Sequence, residues 1–252
     1  MQSPRATEWK NMTIALIDER ACEEPERSLL KYGYHVIRLP ASRHIPAPMA
    51  SHADMLMLVH GDRIITSVEY CDEASYVFSD VRYYAPNTSI RFADEIQRHD
   101  YPYDAIYNAL IIGKRIFCKT DTVARAVLEH ADSAGLKVIH VKQGYPACTV
   151  LPLSDDAAIT SDKGMASAME AEGIRVTLVD DSNVSLPPYE HGFIGGAAGV
   201  HGNHVYFLGD LDTHTNAERI KNACREEGLT PISLGTGALV DLGRIIFIDA
   251  KL

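Results

Sequence analysis

No apolar run in the 252-residue chain approaches the roughly 20 residues that a bilayer-spanning helix requires; the longest, such as Met55–Val59 and Ile245–Ile248, are strand-sized. The opening residues Met1-Gln2-Ser3-Pro4-Arg5 carry no apolar stretch behind the arginine, so no secretory signal is expected there. Cysteine is sparse and unpaired in spacing. Cys22, Cys71, Cys118, Cys148 and Cys224 lie far apart with no C-x-x-C pair, which argues against a disulfide frame or a zinc ribbon and for reduced thiols in a cytoplasmic protein. A basic excess is also missing: Lys and Arg number 24 against 34 Asp and Glu, a net charge of −10 that disfavours nucleic acid and anionic membranes as partners. What is present is ordinary globular material, 46% hydrophobic and 23% charged.

Within that material runs a repeat. Four segments share a helical stretch, a glycine and a β-rich run: Gly33–Leu39, Gly135–Val141, Gly173–Val179 and Gly228–Leu234. Each glycine sits where a helix must end in a left-handed residue, and the β-branched run beyond it reads as a strand. Asn87–Ala93 is a weaker fifth copy, with the next most tolerant residue at the turn. Asp121, Asp162 and Thr215 are placed to open the helices that precede three of these turns. Ahead of the helices stand short hairpins. Their second strands are Arg63–Ser67, Arg115–Lys119, Ala157–Ser161, Val205–Gly209 and Ile245–Asp249, most preceded by a tight turn such as His60-Gly-Asp62 or His201-Gly-Asn203.

The unit is therefore strand, turn, strand, helix, glycine, strand. Five hairpins and five helix–strand segments occur, but out of phase: a final hairpin at Ala238–Ile248 has no helix after it, and the helix–strand at about residues 20–39 has no hairpin before it. Joining the two ends completes a fifth unit and leaves no open sheet edge. The expected fold is α/β, a five-bladed ββαβ propeller with pseudo-five-fold symmetry, closed by N- and C-terminal segments that share a blade. It is expected as a single domain over residues 1–252, with residues 1–12 a flexible extension.

Five ββαβ units closed through the termini resemble the pentein superfamily of guanidino-group-modifying enzymes, which also includes a non-catalytic ribosome anti-association factor. The pieces that carry the resemblance are Ser51-His-Ala-Asp54, Tyr107-Asn-Ala109, Gln143–Cys148, Gly192–Gly196, Phe207–Asp210 and Leu239–Gly243, closest in pattern to an uncharacterised bacterial branch. His52-Ala53-Asp54 matches the superfamily's His-x-Asp pair, and Phe193-Ile-Gly-Gly196 is similar to its Phe-x-x-Gly-Gly segment. The chain departs from the pattern in two places. Ala197 follows the double glycine where an acid is expected, and Cys148 lies one blade beyond the family's cysteine position, which Asn108 occupies.

In such a ring, loops leading into the innermost strands meet at one mouth, so His52, Asp54, Asn108, Cys148, Gly195, Gly196 and Asp241 are expected to converge. The chemistry follows from the residue types. A guanidinium carbon is resonance-stabilised, and a thiolate is the strongest side-chain nucleophile near neutral pH. Cys148 is thus the expected nucleophile, His52 the general acid–base and Asp54 its partner, with His52 and Asp54 on one strand face because i and i+2 point alike. Asn108, Asp210, Asp241, Gly195 and Gly196 are the expected substrate-binding residues. The reaction is hydrolysis or group transfer on a small cationic guanidino or amidino compound, without a metal or organic cofactor. Besides that molecule, a second copy of the chain is the expected partner.

Two other readings remain open. The fold tolerates loss of chemistry, so a non-catalytic ligand- or partner-binding protein is the alternative. A metal-dependent hydrolase would draw on His201-Gly-Asn-His204 and Gly209–His214, though their spacing matches no common zinc motif.

Overall fold

The structure, a computed structural model, describes residues 12–249. The extension expected over residues 1–12 lies, except for its last residue, outside them.

The chain enters the ring in the middle of a blade. In order come β1 (Ile14–Asp18), α1 (Glu23–Lys31) and β2 (His35–Leu39). The second blade holds the one-turn helix α2 (Ala53–Leu56), β3 (Met57–His60), β4 (Arg63–Ser67), α3 (Val68–Glu73), α4 (Ser75–Tyr84) and β5 (Ser89–Ala93). The third holds β6 (Leu110–Ile112), β7 (Arg115–Cys118), α5 (Arg125–Ser133) and β8 (Lys137–His140). The fourth opens with a second one-turn helix, α6 (Pro146–Thr149), then β9 (Val150–Ser154), β10 (Ala157–Thr160), α7 (Lys163–Ala171) and β11 (Arg175–Leu178). The fifth comprises β12 (Ala198–His201), β13 (His204–Phe207), α8 (Ala217–Glu226) and β14 (Thr230–Ser233), and the chain returns to the first blade through β15 (Ile246–Ile248).

Every blade is a three-stranded sheet on one plan. Its first and second strands are antiparallel and its second and third parallel. A hairpin turn suffices for the first pairing, whereas the parallel return needs a crossover, which the helix supplies. At the end of four of those helices Gly33, Gly135, Gly173 and Gly228 take φ of +86°, +66°, +80° and +71°. A Cβ there would touch nothing, so glycine is required by conformation rather than by space.

The shared blade is divided differently from the sequence expectation. Ile245–Asp249 was expected to be the second strand of a C-terminal hairpin. Instead Ile248 pairs with Ile14 and Ile246 with Leu16, so β15 is the blade's first strand and β1 its second. The physical reason lies in β1. All five of its residues are buried, so it needs a neighbour along each edge, and β15 and β2 provide them. The segment around Ala238–Leu242 contributes only an isolated bridge between Val240 and Ser185. A smaller correction concerns α5. It starts at Arg125 behind Ala124 with no side-chain cap, and Asp121 lies 3.4 Å from Lys119 instead. Asp162 does cap α7, accepting from the Met165 N–H.

Five apolar clusters fill the five seams between neighbouring blades. Leu16 and Leu39 pack with Ile64 and Phe78 between the first and second, and Ala15, Ile17 and Leu29 pack with Tyr206 between the first and fifth. The remaining seams centre on Ile65 with Ile116, Phe117 with Ala158, and Ile159 with Val205. Closure of the ring is therefore a packing fact as well as a pairing fact. An axial cavity of about 400 Å³ is lined from every first strand, by Val59, Ile111, Pro152, Val200 and Ile246 among others.

Candidate active site

At one end of the axis, just ahead of β3 and β9, the two one-turn helices bring their residues together. The ligand-capable atoms of His52, Asp54 and Cys148 all lie within 4.8 Å of one another, although they come from the second and fourth blades. The shift of Cys148 along the repeat therefore does not separate it from the His-x-Asp pair. The expectation that His52 and Asp54 share a strand face is corrected. Residues 53–56 are helical, so positions i and i+2 do not align; His52 stands at the cap and Asp54 in the turn.

Backbone hydrogen bonds tie these turns to two others. The Gly196 N–H donates to the Cys148 carbonyl at 2.8 Å, while the Gly196 carbonyl accepts from Leu242 at 3.1 Å and Arg244 at 2.9 Å. The Asp54 N–H donates to the Gly243 carbonyl at 3.2 Å. Such contact demands bare backbone. A Cβ on Gly196 would stand 1.9 Å from Asp241 Oδ1, one on Gly195 2.4 Å from the Val150 carbonyl oxygen, and one on Gly243 2.1 Å from the His52 Cβ. Gly196 is thus buried against Asp241 and Gly195 against the backbone of Cys148 and Val150, which corrects their expected contact with substrate to one that holds the turns in register.

Asp241 is fixed by two donors, Phe193 N–H to Oδ2 at 2.9 Å and Gly243 N–H to Oδ1 at 3.1 Å. Its Oδ1 is 3.9 Å from His52 Nδ1, and on the other side Asp18 Oδ2 is 3.8 Å from His52 Nε2. Asp18 is itself gripped by the Arg20 guanidinium. Asn108, at the head of the third blade, accepts from the Ala147 N–H at 2.8 Å and donates to Cys148 Sγ at 3.2 Å. Asp210 is not drawn in. It caps the short turn Leu211–Thr213 between β13 and α8, accepting from the Asp212 N–H at 3.0 Å.

The polar atoms here are under-satisfied. Both ring nitrogens of His52 and both carboxyl oxygens of Asp54 are buried with no hydrogen-bond partner. Burial, reinforced by the cation of Arg20, lowers His52 to about 3, so the imidazole is neutral near pH 7. Burial raises Asp54 to about 6 and, with the Asp54 charge adding, Asp241 to about 8. Burial also lifts the Cys148 thiol well above its ordinary range, Asp54 and Asp241 adding to the effect and Asn108 opposing it. A neutral imidazole, a protonated Asp241 and an under-satisfied Asp54 leave buried polar groups that a bound cation would engage.

One participant was not anticipated. Arg244 is the only non-glycine residue with positive φ among those described, at +73°, and it lines the axial cavity beside Asp54. Its charge favours the ionised Asp54, and Asp54 and Cys148 in turn favour its charge, while burial lowers its pKa. No local pattern marks it in the sequence; only Gly243 before it hints at an unusual turn.

Two of the trio, His52 and Cys148, line a cavity of about 200 Å³ together with Asp241, while Asp54 lines the axial cavity. The trio is within reach of a single ion, to which each residue offers one ligand atom, the sole such cluster among the described residues. The metal-rich stretch of the sequence is dispersed in comparison. His201 pairs with Asp249 at 3.0 Å, His204 packs on Tyr32 and Tyr206, and His214 accepts from the Asn216 N–H.

A ring of five ββαβ blades with a polar cluster at one mouth of its axis is the pentein fold, and solved structures of that superfamily align over nearly the whole chain. An amidinotransferase of the saxitoxin biosynthetic pathway from Microseira wollei aligns over 97% of this chain and 95% of its own, with a TM-score of 0.57 at 12% identity. A dimethylarginine dimethylaminohydrolase adduct with S-methyl-L-thiocitrulline gives 0.58 at 12% identity over 90% and 93%. An agmatine deiminase of C. jejuni gives 0.54 at 7% over 90% and 89%. At such identities the likeness establishes the fold. The chain belongs to DUF6873, a family of unknown function whose model matches residues 16–246. No curated protein matches it in sequence.

Proposed function

We propose that the site catalyses nucleophilic substitution at the central carbon of a small guanidino or amidino cation, with Cys148 as nucleophile. The observation that carries this reading is the meeting of His52, Asp54 and Cys148 within 4.8 Å, all three buried, with His52 and Cys148 lining a cavity and the polar atoms of His52 and Asp54 lacking a hydrogen-bond partner. The structural relatives act on related groups, as their names state: amidino transfer, dimethylarginine hydrolysis and agmatine deimination.

The bound cation lies against Asp241, which gives up its proton to hold it, with ionised Asp54 nearby, and it stabilises the thiolate that burial otherwise forbids. Asp241, once ionised 3.9 Å from its Nδ1, raises the basicity of His52, which takes the thiol proton as the sulfur forms a bond to the guanidino carbon. The C–N bond to the leaving amine then breaks as His52 returns the proton to the departing nitrogen. Cys148 is left as an amidino thioether. Attack by water, deprotonated by His52, breaks the C–S bond and completes hydrolysis; attack by an acceptor amine completes transfer.

Protein incubated with guanidino and amidino compounds is assayed for released ammonia or amine, and acid-quenched samples are digested for mass spectrometry. The expected result is product formation with an adduct on the Cys148 peptide, both lost in Cys148→Ala. Undiminished turnover by Cys148→Ala overturns the mechanism. The raised thiol pKa is the observation that favours the second reading, a binding protein without turnover. That reading requires Cys148→Ala to keep ligand affinity while no compound is converted by the wild type.

A further inference from the structure

We infer that the substrate's tail is apolar and carries no carboxylate, so that the ligand is an alkyl- or aryl-substituted guanidinium or amidinium rather than a guanidino amino acid. This rests on the proposed use of the cavity as a guanidinium site and concerns the walls rather than the reacting cluster. Above the floor formed by His52, Cys148 and Asp241, the walls are Met49, Leu186, Phe193 and the ring of Tyr145. The Tyr145 hydroxyl is committed elsewhere, donating to Asp104 Oδ2 at 2.8 Å, so the residue presents carbon to the cavity. His191 and Tyr189 complete the rim, the His191 ring stacked edge-on against Phe193 and its Nδ1–H directed at the Gly192 carbonyl.

The account of cations decides the matter. No lysine or arginine is among the residues lining this cavity. Arg20, near the floor, is spent on Asp18 and on the Pro48 carbonyl, 2.8 Å away. Arg244 lines the axial cavity together with Asp54. A carboxylate on the tail would lose its water against Met49, Leu186 and Phe193 with no lysine or arginine to replace it, and would also face the acid at Asp241. A methyl group in the same place gains by burial. The volume agrees. About 200 Å³ holds the equivalent of about seven water molecules at ~30 Å³ each, enough for a planar cationic head and a short chain.

The test uses binding, so that it does not depend on turnover. The Cys148→Ser protein is titrated calorimetrically with pentylguanidine and with ω-carboxybutylguanidine, which differ only in a terminal methyl against a carboxylate. Pentylguanidine is expected to bind at least tenfold more tightly. Tyr189→Arg, a change at an exposed rim position that the fold tolerates, is expected to shrink that ratio several-fold by offering the carboxylate a partner. Equal or tighter binding of the carboxylate ligand to the unmodified rim overturns the inference, as does failure of both ligands to bind. Turnover by the wild type without this preference removes the inference and leaves the catalytic reading standing. The preference without turnover does the reverse.

Discussion

The side-chain nitrogen of Asn108 stands 3.2 Å from Cys148 Sγ, while its oxygen holds the Ala147 N–H one residue before that cysteine. One amide therefore both orients the turn that carries the sulfur and donates to the sulfur. The donated hydrogen bond favours the thiolate directly, against burial and two carboxyl groups.

Replacing Asn108 with Asp keeps the acceptor for Ala147 but removes the donor and adds negative charge beside the sulfur. Cys148 alkylation near neutral pH is expected to slow about tenfold or more, one unit of pKa being a factor of ten in thiolate. Rates of labelling followed by mass spectrometry provide the check. An unchanged rate would show that Asn108 does not act on the sulfur.

Arg244 gives a second charge prediction. Its guanidinium and the Cys148 thiolate favour each other's charge, so Arg244→Met is expected to move the alkylation profile toward higher pH by about one unit, with the fold retained by circular dichroism. A profile that stays in place would reduce Arg244 to a filler of the axial cavity.

Gly243 combines a φ of +67° with a Cβ position 2.1 Å from the His52 Cβ. Gly243→Ala is therefore expected to destabilise the protein by about 1–3 kcal/mol, as overpacking generally does, and to displace His52 as well. Thermal unfolding reports the first effect and loss of thiol reactivity the second. Gly33→Ala, with the same backbone demand but open space around it, is expected to lower stability while sparing the thiol.

The raised carboxyl groups set a pH dependence with a definite sign. Asp54, near 6, and Asp241, near 8, are protonated in the empty site below those values and must ionise to hold a cation. Affinity for a guanidinium ligand is thus expected to rise from about pH 5 to about pH 8 and then level off, with protons released on binding. Calorimetry in buffers of different ionisation enthalpy measures that release. Because the folded chain holds these protons more tightly than the unfolded one, unliganded stability is expected to decline from about pH 4 to about pH 8. Affinity that falls with pH would contradict both statements.

Much of the ring could be read from local backbone rules. A glycine at Gly33, Gly135, Gly173 or Gly228 answers a left-handed turn that few other residues accept, and the turn's neighbours reveal the helix and strand around it. The sharing of a blade by the two termini followed from counting units. The division of that blade did not, because nothing local distinguishes a first strand from a second; β1 becomes the middle strand only once both neighbours are in place. The site was legible as a list and not as a geometry. Alternation along His52-Ala-Asp54 suggested a strand, and the chain makes a helical turn there. Asp210 and Asp241 look alike in sequence, one near a turn and the other before a glycine, yet Asp210 caps a turn and Asp241 faces His52. Arg244 owes its place to contacts made across the ring.

The central claim is that Cys148 is a nucleophile awakened by a cation. Its most direct test compares alkylation of the native protein at neutral pH by chloroacetamidine, which is cationic, and by chloroacetamide, its neutral counterpart. The expected result is selective, saturable labelling of Cys148 by the amidine at a rate at least a hundredfold above that of the amide, with the advantage abolished in His52→Ala. Equal rates for the two reagents, or labelling of other cysteines while Cys148 stays free, would contradict the account.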